Sequence, residues 1–393
     1  MIHFKVSIIF VSMILFLLCV SEDLHADSFP LSEKCKKCHE RVYDEWTSSS
    51  MSQSLSSPLF KILLSEYLSK EGPKDRGYCI KCHAPQSKVN PEIIEDLIEQ
   101  VAKGKIISDG VGCSQCHLIK GIETGKQDIK IRYDLGRTLF GPYSDPIENL
   151  AHNSQFVDIY QKSEICLSCH QFKMAFSNGE ICCDAFDGWK KSVAAKEGKE
   201  CQSCHMKESH GPSADEEKPR KIAGHGFPGR YSKLVTEAVK IDMEKVLVGD
   251  QLKITVSLQS LVPHNFPGGH PPFAQVLLNF TVKNQDYKTI YSATRSYRRI
   301  FEDGNGNRDL SDFNGIRIAE DSIFRVDELK KEQFTIQIPK DTKSVEVEAI
   351  LNYNSIADEF QGIRDLIPKD AKAKRYLEPQ LMAKKTEAIR FHK

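Results

Sequence analysis

Cys35-Lys36-Lys37-Cys38-His39 is the first of five copies of one pattern, Cys-x-x-Cys-His; the others run Cys79–His83, Cys113–His117, Cys166–His170 and Cys201–His205. Two thiols three residues apart can add to the two vinyl groups of one porphyrin, and the adjacent imidazole then lies over the iron, so this spacing is the signature of c-type haem attachment. With 13 Cys and 13 His in 393 residues, chance would place roughly 0.01 such pentads in the chain. The pattern predicts five covalently attached haems c. Cys35, Cys38, Cys79, Cys82, Cys113, Cys116, Cys166, Cys169, Cys201 and Cys204 are the expected thioether donors, and His39, His83, His117, His170 and His205 the expected proximal iron ligands. Zinc is the rival reading, but a zinc ribbon closes its tetrahedron with two Cys pairs and does not require His directly after each.

A chain of this length favours two domains, or one haem domain with an appended module, and it can bury a core without help from a cofactor. Ten of the 13 cysteines belong to pentads, leaving Cys19, Cys182 and Cys183, too few for a disulfide framework. Acidic and basic residues balance at 54 each. That balance gives no basic excess for nucleic acid and no global field to steer a charged partner. The N-terminus has a basic start at Lys5, an apolar run from Val6 to Val20 and a small residue at Ala26. This reads as a secretory signal over residues 1–26, too short for a stable membrane span, with an uncleaved anchor as the alternative. Export agrees with the pentads.

Residues 27–232 are dense in pentads and poor in continuous apolar runs, so macrocycles are expected to fill much of that interior. Pro58–Ser69 and Pro91–Lys103 show apolar residues at three- and four-residue steps after a Pro, and both are expected to be helical. From about residue 233 the texture becomes β. Ala238–Asp242, Gln251–Leu261, Phe273–Lys283, Phe334–Ile338 and Ser344–Asn354 are β-branched, partly alternating runs separated by turn residues. The expected fold class is a mainly α or irregular multihaem domain, then an all-β domain of immunoglobulin-like sandwich type over 233–355, then a short helical tail over 356–393. Asp303-x-Asn305-x-Asn307-x-Asp309 resembles a calcium loop but lacks the Gly and Glu that an EF-hand needs, and reads as a solvated turn.

Each proximal His leaves one axial position, whose occupant decides the chemistry: a second His or a Met closes the iron for electron transfer, and an open position allows ligand binding. The candidates for that second position are Met51, His152, His225 and His264, with His210 and His270 competing for the remainder. Two internal echoes support repeated roles. Tyr43-Asp44-Glu45-Trp46 with Ser49 matches Phe186-Asp187-Gly188-Trp189 with Ser192, and His225-Gly226-Phe227-Pro228-Gly229 matches His264-Asn265-Phe266-Pro267-Gly268. In the latter pair Pro fixes φ and Gly relaxes it, which makes a turn able to hold an imidazole.

Several stretches together make the chain resemble the multihaem cytochromes of the cytochrome c-554 family. They are the first pentad with Tyr43, Trp46, Ser49 and Met51; Cys79–His83 with Ala84-Pro85; Gly110-Val111-Gly112 before Cys113; Gly141-Pro142 with His152; Trp189 and Ser192 ahead of Cys201–His205; and His225. The resemblance covers about residues 33–230. It implies an extracytoplasmic electron carrier with stacked haem pairs, and an axial role for Met51, the residue five after the Trp. Five pentads and a long β module depart from the four-haem member that names the family. The expected function is electron transfer between redox proteins, quinol-linked or another cytochrome, rather than catalysis. The alternatives are an oxidoreductase with one five-coordinate haem acting on a small nitrogen compound of the nitrite or hydroxylamine type, and a subunit of a haem filament or membrane redox complex. Membrane association and oligomer formation are compatible with the sequence and required by nothing in it.

Overall fold

The structure, a computed structural model, describes residues 29–70, 75–124, 129–173, 181–215, 217–268, 273–311, 313–370 and 373–391. The expected signal over residues 1–26, Cys19 and His270 lie outside the described residues. No helix among the described residues is long and apolar enough to cross a membrane.

The N-terminal half is built from short helices and two-stranded ribbons. Its regular helices are α1 (Glu40–Thr47), α2 (Pro58–Leu68) and α3 (Ile94–Lys103). Helix α2 begins where the sequence places it, with Pro58 in the first turn and the Ser57 hydroxyl accepting from the Phe60 amide at 3.4 Å. Helix α3 stops at Gly104, whose φ of +65° is the left-handed conformation that glycine adopts without strain. Leu59, Leu63 and Leu64 of α2 are buried, as are Leu97, Ile98 and Val101 of α3.

The C-terminal half holds seven long strands: β1 (Val239–Val248), β2 (Gln251–Ser260), β3 (Gln275–Asn284), β4 (Thr289–Tyr297), β5 (Leu329–Gln337), β6 (Ser344–Asn354) and β7 (Gln380–Arg390). They form a three-stranded sheet in the order β5-β2-β1 and a four-stranded sheet in the order β4-β3-β6-β7, every pairing antiparallel. Alternation sets the inward faces: Leu252, Ile254, Val256 and Leu258 of β2 join Val276, Leu278, Phe280 and Val282 of β3 and Val345, Val347, Ala349 and Leu351 of β6 in one core. Phe280 and Phe334 stack across it with centroids 4.1 Å apart. Each fully buried side chain of this kind contributes about 1.5–3 kcal/mol.

The tail differs from the helix expected over 356–393. Helix α4 (Gln361–Leu366) is short, and the chain then turns back as β7, pairing along β6 from Ser344↔Arg390 to Tyr353↔Gln380. Lys384, Lys385 and Glu387 made that stretch look helical. On an exposed edge strand the same charges are satisfied across the sheets, Lys385 with Asp242 at 3.2 Å and Glu387 with Lys245 at 2.7 Å. The segment before β7 packs on the pentad half: Ile356, Phe360, Ile367 and Tyr376 share a buried cluster with Leu59, Leu63 and Tyr67. The Asp303 loop is a self-capped turn, since the Asp303 carboxylate accepts from the amides of Asn305 and Asn307 at 2.8 and 3.0 Å. Cys183 is buried against Phe301.

Candidate haem-binding cavity

The pentads lie on short helical turns, Ser32–Lys36, Ile80–His83, Cys113–His117, Glu164–His170 and Cys201–His205. A helical turn brings positions i and i+3 to one side, so the two thiols of a pentad face the same way. All ten pentad cysteines and all five pentad histidines line one connected cavity of about 3110 Å³. An ordinary single-ligand pocket holds about 300–1,000 Å³, so this space suits several large groups side by side.

The imidazoles are held by one recurring device. The Nδ1 of His39 lies 2.6 Å from the Ser213 carbonyl, that of His83 2.8 Å from Ser54, that of His117 2.7 Å from Phe140 and that of His205 2.7 Å from Pro228. A carbonyl only accepts, so Nδ1 carries the proton and Nε2 is left bare, the tautomer that a metal needs. The same device recurs at three of the candidates for the second axial position: His225 Nδ1 faces the Ala223 carbonyl at 2.9 Å, His264 that of Asn265 at 3.0 Å and His152 that of Asn153 at 3.1 Å. Burial holds His117, His170, His225 and His264 below the usual imidazole pKa, His117 at about 4, and so favours the neutral ring.

Three of these rings stand opposite pentad rings. His39 and His152 have centroids 6.3 Å apart with planes at 24°, His117 and His225 6.3 Å and 25°, His205 and His264 6.4 Å and 26°. Two imidazoles bonded to one metal at about 2 Å each, with each ring centre about 1 Å behind its nitrogen, would have centroids about 6 Å apart. The donor set therefore fits a haem at each of these places. Met51 also lines the cavity, and its carbonyl accepts from the amides of Ser54 and Val111 at 3.2 and 3.3 Å, between the second and third pentads. His210 lies on an exposed strand opposite Lys221 and is not among the cavity residues. His83 is covered by Phe60, ring to ring at 3.9 Å.

The two echoes belong to a structural duplication in which the first and third pentads correspond to the fourth and fifth. Ser32 Oγ accepts from the Cys113 amide at 2.9 Å, and Ser163 Oγ accepts from the Cys201 amide at 2.9 Å. Asp109 and Glu200 accept from the amides of those two serines at 2.5 and 2.8 Å. The Trp46 indole donates to the Val111 carbonyl at 2.9 Å and the Trp189 indole to that of Lys199 at 2.8 Å, each acceptor lying two residues before a pentad. Glu45 accepts from the His225 amide at 2.8 Å. Its counterpart Gly188 sits so close to the backbone that carries His264 that an added Cβ would lie 2.9 Å from the Asn265 nitrogen. The sequence carries a further signal of this duplication that motif reading passed over: Ser32-Glu33-Lys34-Cys35 matches Ser163-Glu164-Ile165-Cys166. Ser163 is wholly buried, so Ser163→Ala strands the Cys201 amide and is expected to cost about 1–3 kcal/mol in a denaturant titration.

Residues 34–118 match the family described as cytochrome c554 and c-prime. No curated protein sequence matches the chain. Among solved structures, the penta-heme cytochrome c552 from Thermochromatium tepidum is similar with a TM-score of 0.71 at 20% identity, over 92% of this chain and 99% of that one. The Northeast Structural Genomics Consortium target SoR45 is similar at a TM-score of only 0.20 and 7% identity, over 40% of this chain and 89% of that one. A likeness that slight carries no argument. The pentads, the cavity they share, the family match over residues 34–118 and the first of these folds agree in supporting a multihaem c-type cytochrome.

Proposed function

We propose that the chain is an exported pentahaem electron carrier, with one haem c on each pentad and with His152, His225 and His264 as second axial ligands opposite His39, His117 and His205. The single observation that carries this reading is the continuity of the cavity across all five pentads. Neighbouring pentads lie close: the sulfur of Cys35 is beside that of Cys113, that of Cys82 beside Cys169 and that of Cys166 beside Cys201, while Cys116 lies within electrostatic reach of Cys169. The order of contact is thus first, third, fourth, fifth, with the second joining at the fourth. Bound haem supplies one-electron iron chemistry. The chain's own residues fix the spacing and hold His39, His83, His117 and His205 by Nδ1.

The β module belongs to this function, because His264 stands on the connection between β2 and β3. Its strand order, β5-β2-β1 facing β4-β3-β6-β7, supports an immunoglobulin-like sandwich. Partners are redox proteins outside the cytoplasm. The exported protein is expected to gain the mass of five haems and to titrate reductively in several one-electron steps. A mass gain of fewer than five haems, or failure to exchange electrons with a small donor or acceptor protein, would refute the reading.

One observation favours a second reading. Among the described residues, no histidine ring faces His83 or His170 as those three face their partners, and Met51 can close only one of these two irons. An iron left open would bind a small nitrogen compound. A high-spin signal in the wild-type protein together with turnover of nitrite or hydroxylamine would establish it, and a wholly low-spin spectrum would eliminate it.

A further inference from the structure

Arg230 lies two residues beyond Pro228, whose carbonyl holds His205, and it lines the cavity with Tyr353 of β6. Its electrostatic neighbours are Tyr353, Tyr231 and Tyr376. Among the described residues it has no carboxylate partner, unlike the buried Arg299, which has two. A second guanidinium stands behind it. Arg375 packs over Tyr231 and Tyr376 at 4.8 and 5.3 Å from the ring centroids, donates to Gln53 Oε1 at 2.7 Å, and keeps a buried Nε with no acceptor. Tyr231 also packs into the cluster that holds Tyr78 and Cys79, so this cationic corner lies between the second and fifth pentads.

Two half-buried cations against one tyrosine, with no acidic side chain paired to either among the described residues, are costly unless an anion meets them. Among the described residues no carboxylate meets Arg230, and Arg230 opens into the cavity. We propose that Arg230, backed by Arg375, is the seat of an oxyanion held inside the cavity, met through a fork of N–H donors suited to two oxygens. The anion is a carboxylate or a small inorganic oxyanion. A haem propionate and a free ion present the same chemistry, and the test separates them. This inference rests on the multihaem reading above.

The experiment compares wild-type holoprotein with Arg230→Gln and Arg230→Lys by spectroelectrochemical titration, with and without nitrite as the probe anion. Loss of the positive charge stabilises ferric iron nearby. Arg230→Gln is therefore expected to shift the reduced-to-oxidised ratio of one haem about tenfold, equal to about 59 mV for one electron, while Arg230→Lys stays near wild type. If the anion is a propionate, nitrite leaves the wild-type spectrum unchanged and the shift persists. If it is free, nitrite changes the wild-type spectrum saturably and Arg230→Gln weakens that binding at least tenfold. An Arg230→Gln protein with every midpoint and its nitrite response as in wild type would overturn the proposal. A wild-type protein unable to exchange electrons with partners, yet showing the Arg230→Gln shift, would fault the carrier reading and leave the anion seat standing.

Discussion

Replacing His225 by alanine is expected to convert one haem from low-spin to high-spin and to let the reduced protein bind carbon monoxide at that one iron. His225 faces His117 across the 6.3 Å gap, and its ring is fixed from behind by the Ala223 carbonyl and at its amide by Glu45. The turn that follows holds Phe227 at a φ of +41°, a conformation that a bulky residue occupies only when its surroundings compel it. A neighbouring side chain is therefore badly placed to replace the lost imidazole. Paramagnetic resonance and carbon monoxide difference spectra measure the outcome. His210→Ala, on the exposed strand, is expected to leave both unchanged. A low-spin His225→Ala spectrum without carbon monoxide binding would remove His225 from the ligand set.

The other large effect is structural. Arg299 is 2% exposed and bridges Asp184 at 3.1 Å and Asp321 at 3.0 Å. Asp184 belongs to the pentad half, next to Cys183, and Asp321 to the insertion that follows β4, so one buried guanidinium ties the two halves together. Arg299→Met leaves the Asp184 and Asp321 carboxylates with only the half-exposed Arg325, at 3.7 and 2.6 Å, a loss of about 3 kcal/mol, visible as a lower denaturant midpoint. Asp184 also accepts from Asn265 Nδ2 at 2.8 Å, and Asn265 follows His264 directly. The same variant is therefore expected to loosen His264 and raise a high-spin signal at the fifth pentad. Adding Asp184→Asn and Asp321→Asn to Arg299→Met should recover part of the stability, because the only charge then left unpaired is that of Arg325, which is half-exposed to water. An unchanged midpoint for Arg299→Met would show that the bridge carries little of the joint.

Much of this was legible along the chain. The pentads are local motifs, with thiols and imidazole fixed by spacing alone, so the attachment chemistry needed no fold. The runs Gln251–Leu261 and Ser344–Asn354 showed their strands because a half-buried strand must alternate. Strand β7 stayed hidden because its outward side chains are charged and its inward ones few, and such a segment is told from a helix only when its neighbour β6 is known. Strand β4 escaped for a related reason, as an edge with much of its surface in solvent.

The cavity divided in the same way. His152, His225 and His264 stood out by context, but their partners lie 113, 108 and 59 residues away in sequence, and nothing local says which pentad each would face. The carbonyls that orient the rings, Ser213 for His39 and Phe140 for His117, could not be read in advance, since any residue carries a carbonyl and only the path of the backbone aims it. By itself the sequence determined where the attachment pattern lies and which atoms it offers to a haem, because that chemistry depends on side chains three and four positions apart. The opposed histidine pairs, the order in which pentads touch, the Arg299 joint and the cationic corner at Arg230 were decided by tertiary structure alone, because each depends on distances between segments that only folding brings together.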